Sequence, residues 1–265
     1  MPNIAVLSTL IFGVAVVMTM VGKGGGNFYV VILAMAGISM HRAAATGQFI
    51  LLAAALAAML VFQRNRSISW PLALLIGLST ALAALAGGYC SHLFSGFVLK
   101  LIFAAMLAAA GAVMLIRVQP KPPGAVAKTQ FTLHMKTRGN DLYIKLWIAI
   151  PVTLVTGFGS GMVGVSGGSF LVPLMVLTCG ATMHTAVGTA SALIAATAAM
   201  GLTGHMLQGD FSSGLAIPLA VAAILGGIIG GKLALKARPK KLKLLFAITN
   251  WIAALFMVIN ALHAL

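Results

Sequence analysis

Two glycine-dense stretches decide the reading of this chain: Gly22-Lys23-Gly24-Gly25-Gly26-Asn27-Phe28, and Gly157-Phe158-Gly159-Ser160-Gly161 continuing through Gly164-Val165-Ser166-Gly167-Gly168-Ser169-Phe170. Each follows an apolar run (4–22, 146–163) and precedes a short one (27–38, 169–180). Glycine costs a helix about 1 kcal/mol per residue relative to alanine, so the chain is expected to break at these places. The short runs hold only about twelve apolar residues, too few to cross a bilayer alone, and read as half-helices or re-entrant hairpins.

Working outward, the apolar runs form two sets: 4–22, 27–38, 43–62, 71–93 and 97–116, then 146–163, 169–180, 185–207, 214–231 and 244–262. The sets are copies. Gly25-Gly26-Asn27-Phe28 matches Gly167-Gly168-Ser169-Phe170 at a shift of 142; His41 and Thr46 match His184 and Thr189 at 143. Gly87-Gly88 matches Gly230-Gly231, and Lys100-Leu101-Ile102-Phe103 matches Lys243-Leu244-Leu245-Phe246, again at 143. One shift held over so long a span marks an internal repeat. The expected domains are a first transmembrane repeat (1–116), a basic linker (117–145) and a second repeat (146–265). The linker, with Pro120, Pro122, Pro123 and Gly124, is expected to carry little structure of its own.

Composition fits this reading. Of 265 residues, 61% are hydrophobic and 7% charged, with a mean hydropathy of +1.09, against roughly 25% charged in a soluble domain. This is the composition of a polytopic all-α membrane protein, and it excludes a soluble enzyme or a disulfide scaffold. Met1-Pro2-Asn3 offers no basic segment before the first run, which is therefore expected to be retained. The net charge of +15 sets 17 Lys and Arg against Asp141 and Asp210. Nucleic-acid binding would need those cations clustered with base-stacking aromatics. Instead fourteen of the 17 lie in three loops: six in the linker, six between Lys232 and Lys243, and Arg64 with Arg66.

Cytoplasmic loops accumulate Lys and Arg. With Arg64 and Arg66 inside, the linker and the Lys232–Lys243 loop also fall inside, while the loop from His205 to Ser213, which has no Lys or Arg, falls outside. The two halves are then inverted relative to each other, with both chain ends periplasmic. Inverted repeats are a usual build of secondary transporters, with the substrate site between the halves.

A half-helix starting after glycine, with Asn27 or Ser169 near its N-cap, would present unpaired N–H groups and a positive dipole end to an anion. Small residues also serve simply to let helices approach. Glycine breaks at matching places in both halves favour the anion reading. Candidate contacts are Lys23, Gly24, Gly25, Gly26, Asn27, Ser166, Gly167, Gly168 and Ser169, followed by His41, Arg42, Gln48, His184, Thr189 and Ser191. Lys23 either faces the anion or extends to lipid headgroups. Arg42 stands on the side where the charge rule does not want it. His41 and His184 are either interfacial hydrogen-bonding residues or proton carriers. Neither acid falls in an apolar run, which argues against a carboxylate-based cation site. No metal or cofactor spacing is present, and Cys90 and Cys179 are expected as free thiols.

Gly-Val-Ser-Gly-Gly-Ser-Phe-Leu-Val-Pro-Leu at 164–174 and His-Thr-Ala-Val-Gly-Thr at 184–189 resemble the sulfite exporter TauE/SafE family. A weaker version occurs at 22–32 and 41–46, with Lys23 where a small or apolar residue is usual. The resemblance implies a bacterial inner-membrane transporter that moves sulfite, an organosulfonate or a related sulfur anion, commonly outward; an enzyme is not expected, because two loop aspartates cannot assemble a nucleophile, base and acid cluster, and no cofactor is expected. Proton-coupled uptake and a non-transporting scaffold are the alternatives. A homodimer stays open as a partner beside the anion and the lipid bilayer.

Overall fold

The computed structural model describes residues 4–115, 132–137, 140–209, 211 and 213–262. The apolar runs become ten α-helices: α1 (Ile4–Met20), α2 (Gly26–Met35), α3 (Met40–Arg64), α4 (Trp70–Cys90), α5 (Gly96–Leu115), α6 (Leu146–Val163), α7 (Gly168–Leu177), α8 (Met183–Met206), α9 (Ser213–Lys236) and α10 (Pro239–Leu262). A 3-10 turn, Ser91–Leu93, follows α4. Among the described residues, five of the helical spans are long and apolar enough to cross a membrane. The chain is an α-helical polytopic membrane protein.

The linker departs from expectation. Its end forms a two-stranded antiparallel sheet, β1 (Thr132–Thr137) and β2 (Asn140–Lys145), in which Thr137 pairs with Asn140 and Thr132 with Lys145. Thr132, Thr137, Tyr143 and Ile144 favour extended backbone, and only Arg138 and Gly139 separate the strands in sequence, a usual hairpin spacing. The rest of the linker lies outside the described residues.

Helix packing follows the glycines. Gly157 and Gly161 of α6 lie on the Thr80 and Ala84 carbonyls of α4, so these helices run parallel. Gly226 and Gly230 of α9 lie on the Phe12 and Val16 carbonyls of α1 in the same sense. Gly88 of α4 meets the Gly201 carbonyl of α8, and Gly227 of α9 meets the Ala54 carbonyl of α3. Each contact brings one backbone onto another, which only a residue lacking Cβ permits. Gly157, Gly159 and Gly161, expected to share in a break, therefore stay helical, and two of them act as packing surface. At the centre α3 and α8 run antiparallel, for Gln48 faces Gly201 while Ser69, just beyond α3, meets Thr189. The fifth helices, α5 and α10, pair with each other, Gly111 lying against the Trp251 ring.

The outer surface carries the same shift. Leu74, Leu78 and Leu82 make an exposed stripe on α4, and Ile217, Val221 and Leu225 one on α9, each pair of positions 143 apart. Such i, i+4 apolar stripes have no stabilising partner in water and suit lipid tails.

Candidate functional site

Helices α2 and α7 are ten residues each, about 15 Å at 1.5 Å per residue, roughly half of a bilayer core. Both begin in the interior. Between α1 and α2 the backbone turns through Gly22, Gly24 and Gly25, all at positive φ, with Gly25 (φ 99°) as the left-handed residue that precedes α2. Between α6 and α7 it turns at Gly164 (φ 79°). The two turns touch: a Cβ on Gly26 would lie 2.9 Å from the Ser166 amide nitrogen, and one on Gly168 2.5 Å from the Gly22 carbonyl oxygen. The N-terminal ends of both half-helices thus converge backbone to backbone.

Asn27 and Ser169 fall near the helix starts, as expected. Gly25 and Gly167 occupy the N-cap positions, and neither Asn27 nor Ser169 does; each is the second residue of its helix. No side chain caps the first turn of either helix, which leaves its N–H groups aimed at the turns. At Gly25 the left-handed backbone and the Tyr29 ring, 2.5 Å from where a Cβ would stand, demand glycine, whereas a Cβ on Gly167 would meet nothing closer than the Leu171 side chain at 3.3 Å. The Asn27 side chain lies outside the described residues.

Lys23 is 1% exposed, so it does not extend to headgroups. Its Nζ donates to Phe246 O, Thr249 Oγ1 and Asn250 Oδ1, each at 2.7 Å, all on α10. It also sits 4.2 Å from the centre of the Phe246 ring. All three ammonium hydrogens are satisfied, and all by neutral acceptors. Ser169 Oγ donates to the same Asn250 Oδ1 at 3.3 Å, tying the second turn to the first through α10. The Ser166 hydroxyl and the Asn250 Nδ2 are buried without a hydrogen-bond partner. Tyr29, fully buried, donates its hydroxyl to Gly24 O at 2.8 Å and closes the first turn from below.

Thr249, Asn250 and Tyr29 were not among the residues expected from sequence. No motif marks the first two, because their partner is more than 220 positions away and carries no opposite charge.

Of the other expected residues, Gln48 is buried and donates to Ser160 O at 3.1 Å, leaving its Oε1 without a partner. Ser191 donates to Gly188 O at 2.6 Å and lines a small cavity with Thr19, Gly22, Gly24, Val187 and Ile194. That cavity measures about 10 Å³, at the lower bound for one water. Thr189 has a packing role: its Oγ1 accepts the Ser69 N–H at 3.0 Å and anchors the start of α4.

His41, Arg42 and His184 are not brought to the turns. Leu51 flanks Gly24, and His41 lies ten residues earlier on α3, about 15 Å along the axis. His41 stacks on His92 at 4.7 Å, and Arg42 is exposed. His184 Nε2 lies 3.0 Å from Ala237 O. Both histidines open a helix beside the connection between the fourth and fifth helices of their own half, so the repeat places them at helix ends rather than at its centre. Cys90 and Cys179 are free thiols.

A family model described as "Sulfite exporter TauE/SafE" matches residues 7–257. The chain is similar to the "Probable membrane transporter protein YunE" of Bacillus subtilis (strain 168), at 22% identity over 240 residues, covering 87% of this chain and 88% of that protein. No solved structure matches the chain.

Proposed function

The chain belongs to the sulfite exporter TauE/SafE family, and on that premise we propose that it exports a small sulfur-containing anion, such as sulfite or a sulfonate, across the bacterial inner membrane. The observation that carries this reading is the meeting of two half-helix N-termini at interior turns, beside a buried lysine whose acceptors are all neutral. Helix N-termini favour negative charge, and a cation at membrane depth without a carboxylate favours it further.

The anion contacts in this proposal are the amides of Gly24, Gly25, Gly26, Ser166, Gly167 and Gly168, with Lys23 and the Ser166 and Ser169 hydroxyls. Gln48 and Ser191 lie along the route to them, and Arg42 and the two histidines stand nearer its ends. The halves, 1–116 and 146–265, act as inverted repeats with 117–145 as a cytoplasmic linker and both termini periplasmic. Support comes from the antiparallel course of α3 and α8, which are equivalent in the repeat, and from α4 packing on α6 and α8 as α9 packs on α1 and α3. Alternating access would open the site to one side and then the other.

The test is thermal unfolding of purified protein with sulfite, a sulfonate, thiosulfate and chloride, paired with flux from loaded vesicles. Stabilisation by sulfur anions with flux of the same anions is expected. Indifference to every sulfur anion in both measurements would return the protein to a scaffold role.

A further inference from the structure

The repeat supplies its own control for Lys23. Its counterpart in the second half is Val165, and the counterpart of Asn250 is Leu107, both buried apolar residues. By sequence, Met106 stands where Thr249 does. Helix α5 packs on α7 as α10 packs on α2, so the fold builds this junction once with Val165 and Leu107 in place of the lysine and the asparagine. The cluster of Lys23, Thr249 and Asn250 is therefore not demanded by packing. It also leaves a donor over, since Asn250 Nδ2 has no acceptor although the residue is fully buried.

We infer that Thr249 and Asn250 are placeholders for the anion and determinants of its recognition: they hold the Lys23 ammonium between transport events and yield it to an oxyanion, to which Asn250 Nδ2 then donates as well. The inference rests on the anion-transport reading above and deepens it. An oxyanion offers the ammonium an opposite charge as well as an acceptor, which the neutral oxygens do not, so the exchange runs toward the anion when one arrives. Lys23 leaving Phe246, Thr249 and Asn250 also releases the first turn from α10, which links anion binding to movement of the α5–α10 pair.

Two substitutions test this, read with sulfite as the probe. Asn250→Asp keeps an acceptor for Lys23 and for Ser169 but adds a resident negative charge. It is expected to abolish the sulfite-dependent rise in Tm and cut sulfite flux about tenfold, with Tm in the absence of anion at or above wild type. Thr249→Val removes one placeholder oxygen at equal volume, and the sulfite concentration giving half of the Tm shift should fall about threefold. A purely structural cluster predicts the reverse: Asn250→Asp responding to sulfite as wild type does, which overturns the inference and leaves the transport reading intact. Should Asn250→Asp yield no protein, an unchanged half-saturation in Thr249→Val overturns it equally. A wild-type protein indifferent to sulfite overturns both readings.

Discussion

Gly168 and Lys23 occupy neighbouring positions in space and are constrained for different reasons. A Cβ on Gly168 would lie 2.5 Å from Gly22 O and 2.7 Å from Ile194 Cδ1. Backbone cannot yield there without parting the two turns, so Gly168→Ala should lower unfolding stability by about 1–3 kcal/mol; a Tm equal to wild type would mean the turns are not in contact. Lys23→Met is expected to behave otherwise. It removes a charge whose burial is itself costly, so the loss of three hydrogen bonds is partly offset. Membrane yield should change little while sulfite flux and the sulfite-dependent Tm shift are lost. Equal loss of yield and flux would assign Lys23 to structure alone.

At the scale of elements, the glycine pattern announced most of the fold. Helix bounds fall within a few residues of the apolar runs, because twenty apolar residues in a bilayer have no alternative to a helix. The breaks at 22–25 and 164–167 were equally legible, since nothing else explains so much glycine before so short an apolar run. Three features were not. The Thr132–Lys145 hairpin hid behind the prolines upstream of it, the helical glycines 157–161 looked like part of a break, and Thr249 and Asn250 gave no local signal. Long-range hydrogen bonds between neutral groups leave no periodicity to read. Thr189 illustrates the same limit: its repeat with Thr46 suggested a ligand, yet its hydroxyl holds the Ser69 N–H at the start of α4. Thr189→Val should therefore destabilise by about 1–3 kcal/mol through the lost acceptor, measured by thermal or denaturant unfolding, with half-saturation by sulfite unchanged. A shifted half-saturation at unchanged stability would restore it to the anion path.

For the whole molecule, the proposed outward direction can be tested through the charge of the transported species. Asp141 lies in β2 and Asp210 falls between apolar runs in the sequence, so the transported species is expected to move with its own negative charge uncompensated by a co-bound Na⁺. A potential of 100 mV, negative inside, acts on one such charge with about 2.3 kcal/mol, which sustains an outward gradient of about fiftyfold. Vesicles loaded with sulfite and clamped by a potassium gradient with valinomycin should expel it toward that ratio, and the ratio should collapse when potassium is equalised. The pH difference across the membrane should matter little, because His41 and His184 lie at helix ends rather than beside Lys23. A gradient that tracked pH and ignored potential would instead make a histidine the coupling group and turn the protein into an importer.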